Sequence, residues 1–254
     1  MYFDTHAHYC DKRFDEDRDE LLGSMPEGGV SLILNSGSSL RSSRMSLELA
    51  DKYSFVYASV GVHPHDSKSM DDGTVSVLEK LLSHPKAMAV GEIGLDYHYD
   101  FSPRDVQKKR FREQLELARR IELPVIIHER EALQDTLDAV REYRDLTGVF
   151  HCFSGSWETA KIILDLGWYI SFTGVITFKN ARRALEVVEK MPAERMMLET
   201  DCPYMAPDPM RGRRNSSLYL PYIAEKIAEV RGVSVDEVAE LTTENGKRFF
   251  GIAD

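Results

Sequence analysis

Short apolar runs alternate with longer amphipathic stretches from one end of this 254-residue chain to the other. Eight short, largely apolar runs, at 2–6, 30–35, 55–62, 87–92, 124–128, 149–152, 168–172 and 196–200, each predict a β-strand. Between them the period changes to that of a helix. In 104–121, Val106, Phe111, Leu115 and Ala118 recur at close to i+3/i+4 spacing with charged residues between them. Further helices are predicted at 15–25, 41–52, 71–83, 131–143, 156–166, 179–191 and 218–231. A last one follows Ser234, where Glu237 completes a capping box.

No low-complexity tract or linker divides the chain, so one domain over 1–254 is expected. Alternating strands and helices imply a parallel sheet covered by helices. At this length the α/β class resolves to a single-domain (β/α)₈ TIM-type barrel in preference to an open doubly wound sheet. Neither GxGxxG nor GxxxxGK[ST] follows the first strand, which removes support for nucleotide-binding variants.

Ligand-type side chains collect at one end of these strands. His6 and His8 end strand one, His63 and His65 follow strand three, Glu92 ends strand four, and His128 ends strand five. His151 lies in strand six and Asp201 follows strand eight. In a parallel barrel the carboxyl ends meet on one face, where active sites of this architecture are built. Residues two apart share a strand face, so Glu92 is expected to point with Val90, His128 with Ile126, His151 with Val149 and Asp201 with Glu199, while Cys152 and Cys202 point away. A lone HxH, or one His at a strand end, reads equally well as packing. Six imidazoles and carboxylates together are costly to desolvate without a cation.

The donors therefore predict two divalent ions, drawn from Zn, Mn, Fe or Mg. His6, His8, Glu92 and Asp201 are assigned to one ion and Glu92, His128 and His151 to the other, with Glu92 as the bridge. Cys10, Cys152 and Cys202 are widely spaced, odd in number and lack a CxxC pair, so no disulfide framework is expected and a reducing cytosol fits. The first residues show no signal-peptide pattern, and about 18 uncharged apolar residues never occur in succession. A soluble, cytoplasmic protein with no membrane association and no evident obligate protein partner is expected. The net charge of −10 argues against a broadly basic nucleic-acid surface, so any such substrate must be met locally.

The motifs DTHAH at 4–8, GVHPH at 61–65, GEIGLDY at 91–97, PVIIHEREA at 124–132, HCFSG at 151–155, ISFTGVITFKN at 170–180, ETDCPYMAP at 199–207 and RGRRN at 211–215 occur in order along the whole chain. In these motifs the chain resembles the TatD-type metal-dependent deoxyribonucleases of the amidohydrolase-like superfamily. The resemblance implies a barrel, two divalent ions and hydrolysis of DNA phosphodiesters by exonuclease action, on single strands or strand ends. It implies His6, His8, Glu92, His128, His151 and Asp201 as ligands, Glu92 as the bridge, Asp201 also as the base, and His63 and His65 near substrate. Where the family commonly continues RGRRN with Glu-Pro or Gln-Pro, this chain has Ser216 and Ser217.

Arg211, Arg213, Arg214 and Asn215 are candidate substrate contacts if their loop folds over the site; the other reading of the arginines is a solvated surface loop. Tyr97, with His98 and Tyr99, could stack a base, or simply pack. The same donors would serve an amidohydrolase or esterase acting on a small molecule, or an aminoacyl-tRNA deacylase. A non-catalytic scaffold predicts missing ligands, and none is missing.

Overall fold

The computed structural model describes residues 1–253. Its strands are β1 (Tyr2–Ala7), β2 (Val30–Ser36), β3 (Val56–Val60), β4 (Ala87–Asp96), β5 (Val125–Arg130), β6 (Gly148–Phe150), β7 (Tyr169–Phe172) and β8 (Met196–Leu198). They follow one another in sequence order in an eight-stranded sheet. The helices are α1 (Arg18–Gly23), α2 (Leu40–Lys52), α3 (Thr74–Leu82), α4 (Arg104–Ile121), α5 (Leu133–Arg141), α6 (Trp157–Asp165), α7 (Arg182–Lys190), α8 (Leu220–Arg231) and α9 (Val235–Phe250). This is the (β/α)₈ topology expected from the sequence.

Two compact units are distinguishable, Met1–Asn35 with Cys152–Asp254, and Ser36–His151. In the first, β7 pairs with β8 through Ile170↔Met196 and Phe172↔Leu198, β1 pairs with β2, and Ala7 bridges to Cys202 just beyond β8. The C-terminal helix α9 packs on β1, bringing Phe250 against Phe3 with ring centroids 5.8 Å apart. Gly246 makes this close approach possible, because a Cβ there would lie 2.7 Å from the Phe3 ring. The capping box of α9 forms as expected: Ser234 Oγ accepts from Glu237 N, and the Glu237 carboxylate accepts from Ser234 N.

In the second unit β3, β4, β5 and β6 pair in parallel, and β4 packs against α4. The interior is aliphatic: Val60, Ala89, Val90, Ile93, Val125 and Ile127 are fully buried. Two α4 side chains stitch the helix to neighbouring backbone. Gln107 donates to Asp96 O and Ser102 O while accepting from Asp96 N, and Gln114 accepts from Val62 N and donates to Val62 O.

Strand ends correct three expectations. Glu92 does not end β4, which continues for four residues, and His128 does not end β5, which runs on to Arg130. The cause is continued pairing, Ile93↔Ile127, Gly94↔His128, Leu95↔Glu129 and Asp96↔Arg130. Gly94, at φ 145°, permits it, since a Cβ would stand 2.0 Å from His128 O. His151, expected inside β6, lies just past its end.

Candidate metal centre

Each unit carries its own cluster of donors. In the unit Met1–Asn35 with Cys152–Asp254, the register of β1 against β2 slips between Asp4 and Ala7: Asp4 pairs with Ile33 and Ala7 with Asn35. Three β1 steps thus oppose two on β2, a bulge of the kind that re-aims side chains. The His6 and His8 Nε2 atoms approach to 3.0 Å. Asp201 Oδ1 lies 3.3 Å from His8 Nε2 and 3.9 Å from His6 Nε2. Asp201 is held at φ 55° by its own N–H donating to His6 O.

Beneath this trio lies a carboxyl that is not among the donors expected from the sequence. Asp4 is fully buried and accepts from Thr200 N, Thr200 Oγ1 at 2.5 Å and Ser217 Oγ at 2.6 Å. Burial outweighs these donors and raises its pKa to about 7. Ser217, one of the two residues departing from the family pattern, also donates its N–H to the buried Tyr9 hydroxyl. Glu199 is a second buried carboxylate, two residues before Asp201. It accepts from Cys152 N at 2.6 Å and Ser171 Oγ at 2.5 Å.

In the unit Ser36–His151 the register also slips, between Val90↔Val125 and Ile93↔Ile127, so the bulge contains Glu92. Three imidazoles converge on one oxygen of that side chain. His128 Nδ1 and His151 Nε2 lie 2.9 Å from Glu92 Oε1, and His63 Nε2 lies 3.4 Å from it. The donor atoms of His63, Glu92 and His128 are all within 4.8 Å of one another. His63, expected only near substrate, is thus among the ligand-type atoms. The other face of His128 meets Asp96, whose Oδ2 is 3.0 Å from His128 Nε2 and 2.9 Å from His65 Nε2.

Electrostatics follow from this geometry. Burial would raise the Glu92 pKa, but His151, His63 and the hydrogen bond from His128 hold it well below the usual carboxylate range. Burial likewise opposes ionisation of Asp96, and hydrogen bonds from His128 and His65 overcome it, lowering its pKa. Burial and the neighbouring His128 lower the His63 pKa to about 4, so this imidazole is neutral near pH 7. For His128, burial is outweighed by Asp96 and Glu92, and the pKa rises.

The donors His63, Glu92 and His128 lie close enough together to hold a metal ion. Metal–nitrogen bonds of about 2.0–2.1 Å place neighbouring ligand atoms roughly 2.8–3.4 Å apart, the spacing seen around Glu92 Oε1 and between His6 and His8. His128 sharpens the test, because both of its nitrogens face carboxylate oxygens. With Nε2–H donated to Asp96, Nδ1 opposes Glu92 lone pair to lone pair unless a proton or a cation intervenes.

Several expected substrate contacts are otherwise engaged. The Tyr97 hydroxyl donates to Asp135 at 2.6 Å, and Arg104 covers its ring. Arg214 pairs with Asp17 and donates to Arg13 O, and Arg211 lies over the Phe178 ring at 4.4 Å. For these two arginines the surface-loop reading describes the contacts, while Arg213 is simply exposed. Asn215 is fully buried and donates to Thr200 O and Tyr204 O, which makes it a brace of the loop. His65 and His98 are engaged with Asp96 and Glu131. The one signal for Asp96 in the sequence is its place in GEIGLDY, four residues after Glu92 and beyond the predicted end of that strand. No cysteine forms a disulfide among the described residues, and no described helix is long and apolar enough to cross a membrane.

Residues 3–251 match the family model described as TatD related DNase. A metal-dependent hydrolase of Bacillus subtilis, YabD, described as uncharacterized, is 41% identical over 99% of this chain and 100% of its own length. The 3'-5' ssDNA/RNA exonuclease TatD of Escherichia coli K12 is 35% identical over 99% of both chains. Among solved structures, the TatD homologue YjjV of E. coli K12 superposes with a TM-score of 0.93 at 30% identity, covering 99% of this chain and 98% of its own.

Proposed function

The chain belongs to the TatD-related DNase family and is a metal-dependent hydrolase, and on that premise we propose that it cleaves phosphodiester bonds from the ends of single-stranded nucleic acid. The observation that carries the proposal is the convergence of three imidazole nitrogens on one Glu92 oxygen. The name of the E. coli relative, an exonuclease on ssDNA and RNA, supports the substrate class.

We assign His6, His8 and Asp201 as donors in one cluster, and Glu92, His128 and His151, joined by His63, in the other. Divalent ions, when bound, supply Lewis acidity and make a neighbouring water acidic near neutral pH. The chain's own part is to orient and to move protons. Ionised Asp96 takes the Nε2 proton of His128 as a hydrogen bond and so aims the Nδ1 lone pair at the cluster. Neutral His63 keeps a lone pair available at pH 7. Asp201, with Oδ1 facing the two imidazoles, serves as proton acceptor at its other oxygen.

The test uses the full chain, stripped with chelator and reloaded with Mn, Mg or Zn. It is offered single-stranded DNA, RNA, duplex DNA, carboxylic esters and aminoacyl-tRNA. Metal-restored release of mononucleotides from single strands is expected. Ester or aminoacyl cleavage with intact oligonucleotides would replace the nuclease reading by the esterase or deacylase one.

A further inference from the structure

Beside the Glu92 cluster, on the loop between β4 and α4, two aromatic rings are left open to solvent: Tyr99 is 46% and Phe101 55% exposed. Their centroids are 5.1 Å apart and their planes differ by 19°, so they form a stack. His65 meets both rings edge-on, at 5.3 Å and 4.8 Å, and the Arg130 guanidinium lies over Tyr99 at 4.8 Å. The same His65 contacts His63 at 4.3 Å between ring centroids, and His63 reaches Glu92.

The loop is pinned. Asp96 Oδ1 accepts from the N–H groups of His98 and Tyr99. Lys68 Nζ donates to Phe101 O, Ser102 Oγ donates to His65 O, and Gln107 donates to Ser102 O. Asp100, at φ 49°, is clamped by Arg104. Exposed rings on a rigid loop are pre-organised to receive a flat partner at little ordering cost.

We infer that Tyr99 and Phe101 are a stacking platform for a nucleobase flanking the cleaved bond, with Arg130 positioned for the adjoining phosphate. The inference rests on the nuclease reading and deepens it, by naming how a strand is held without a basic surface. Two rings are far smaller than the roughly 800 Å² per partner that a stable protein interface buries, whereas they match one base. A base stacked there adds a third layer, and stacking tolerates any base, as a digesting enzyme requires. Tyr97 takes no part, its hydroxyl and ring being already engaged.

The experiment compares the wild-type chain with Phe101→Ala and Phe101→Trp. Substrates are single-stranded oligonucleotides that carry normal bases or abasic residues at both ends, and binding is followed with 2-aminopurine at each end in chelator. The wild-type preference for base-bearing over abasic ends, as a ratio of kcat/KM, should fall about tenfold in Phe101→Ala and return in Phe101→Trp. The 2-aminopurine fluorescence should be quenched by wild type and by Phe101→Trp, and not by Phe101→Ala. An unchanged ratio with unchanged quenching overturns the platform, as does equal loss on both substrates. Quenching without cleavage by any metal-loaded form upholds the platform while the nuclease reading fails.

Discussion

The two donor clusters rest on carboxyls of opposite character. Under His6, His8 and Asp201 lies Asp4, surrounded by two hydroxyls and the backbone amides of His6 and Thr200, with its pKa raised to about 7 by burial. Behind Glu92, His128 and His63 lies Asp96, held ionised by two imidazoles. Hydroxyl donors carry no charge and only partly offset desolvation, whereas an imidazole can carry the compensating proton. The Glu92 cluster can therefore balance its own carboxylates with protons when no cation is present. The lesson is that a ligand set in protein is defined as much by what stands behind it as by the donors themselves.

The largest effect that would sharpen this contrast is expected from Glu92→Ala. It removes the oxygen that three imidazoles share, and hydrolysis should fall at least about a thousandfold, roughly 4 kcal/mol of transition-state stabilisation. Near-normal turnover in a metal-reloaded assay would mean that this cluster is not the reaction centre.

Asp4 yields the next effect, in stability. Its folded pKa of about 7 lies above the ordinary 3.8, so the carboxyl is protonated in both states at low pH and costs nothing there. As pH rises from about 4 to about 7 the unfolded chain ionises first, and metal-free protein should lose about 4 kcal/mol, levelling off above pH 7. Urea midpoints across this range check it. Asp4→Asn should flatten the decline, and a decline of equal size in that variant would break the comparison.

Asp96→Asn should act through metal affinity, weakening it about 10- to 100-fold, because the amide no longer fixes the His128 tautomer by charge. Isothermal titration with Zn or Mn reads this. An affinity equal to wild type would place Asp96 outside the site's support. The smallest effect is expected from Asn215→Ala, about 1–3 kcal/mol of stability from two lost hydrogen bonds to Thr200 O and Tyr204 O. A pure loss of substrate affinity at unchanged stability would restore Asn215 to the substrate contacts first expected of it.

Much of this was legible in the chain. The helix at 104–121 was bounded correctly, since its apolar period, charged remainder and following β-branched run are all local signals. All eight strands are legible in the sequence, while their ends are not: pairing outlasts the apolar run at Leu95–Asp96 beside Glu129–Arg130 and stops before it in β3, β6 and β8. The roles of His63 and Asp96 are hidden from the sequence for a related reason: their partners, Glu92 and His128, lie 29 and 32 positions away. The Tyr99–Phe101 stack was half visible, as aromatics after a strand, while the engagement of Tyr97 by Asp135 depended on where α5 comes to rest.

By itself the sequence determined the alternation of strands and helices, their order, and a donor inventory of imidazoles and carboxylates that calls for a cation. These follow from residue chemistry and short-range periodicity, which need no knowledge of distant neighbours. Only the tertiary structure decided where β1 and β4 bulge, which buried carboxyl is harder to ionise and which easier, and which aromatics and arginines are already engaged. Each depends on strand register, burial and partners brought together by non-local pairing, and no local pattern encodes them.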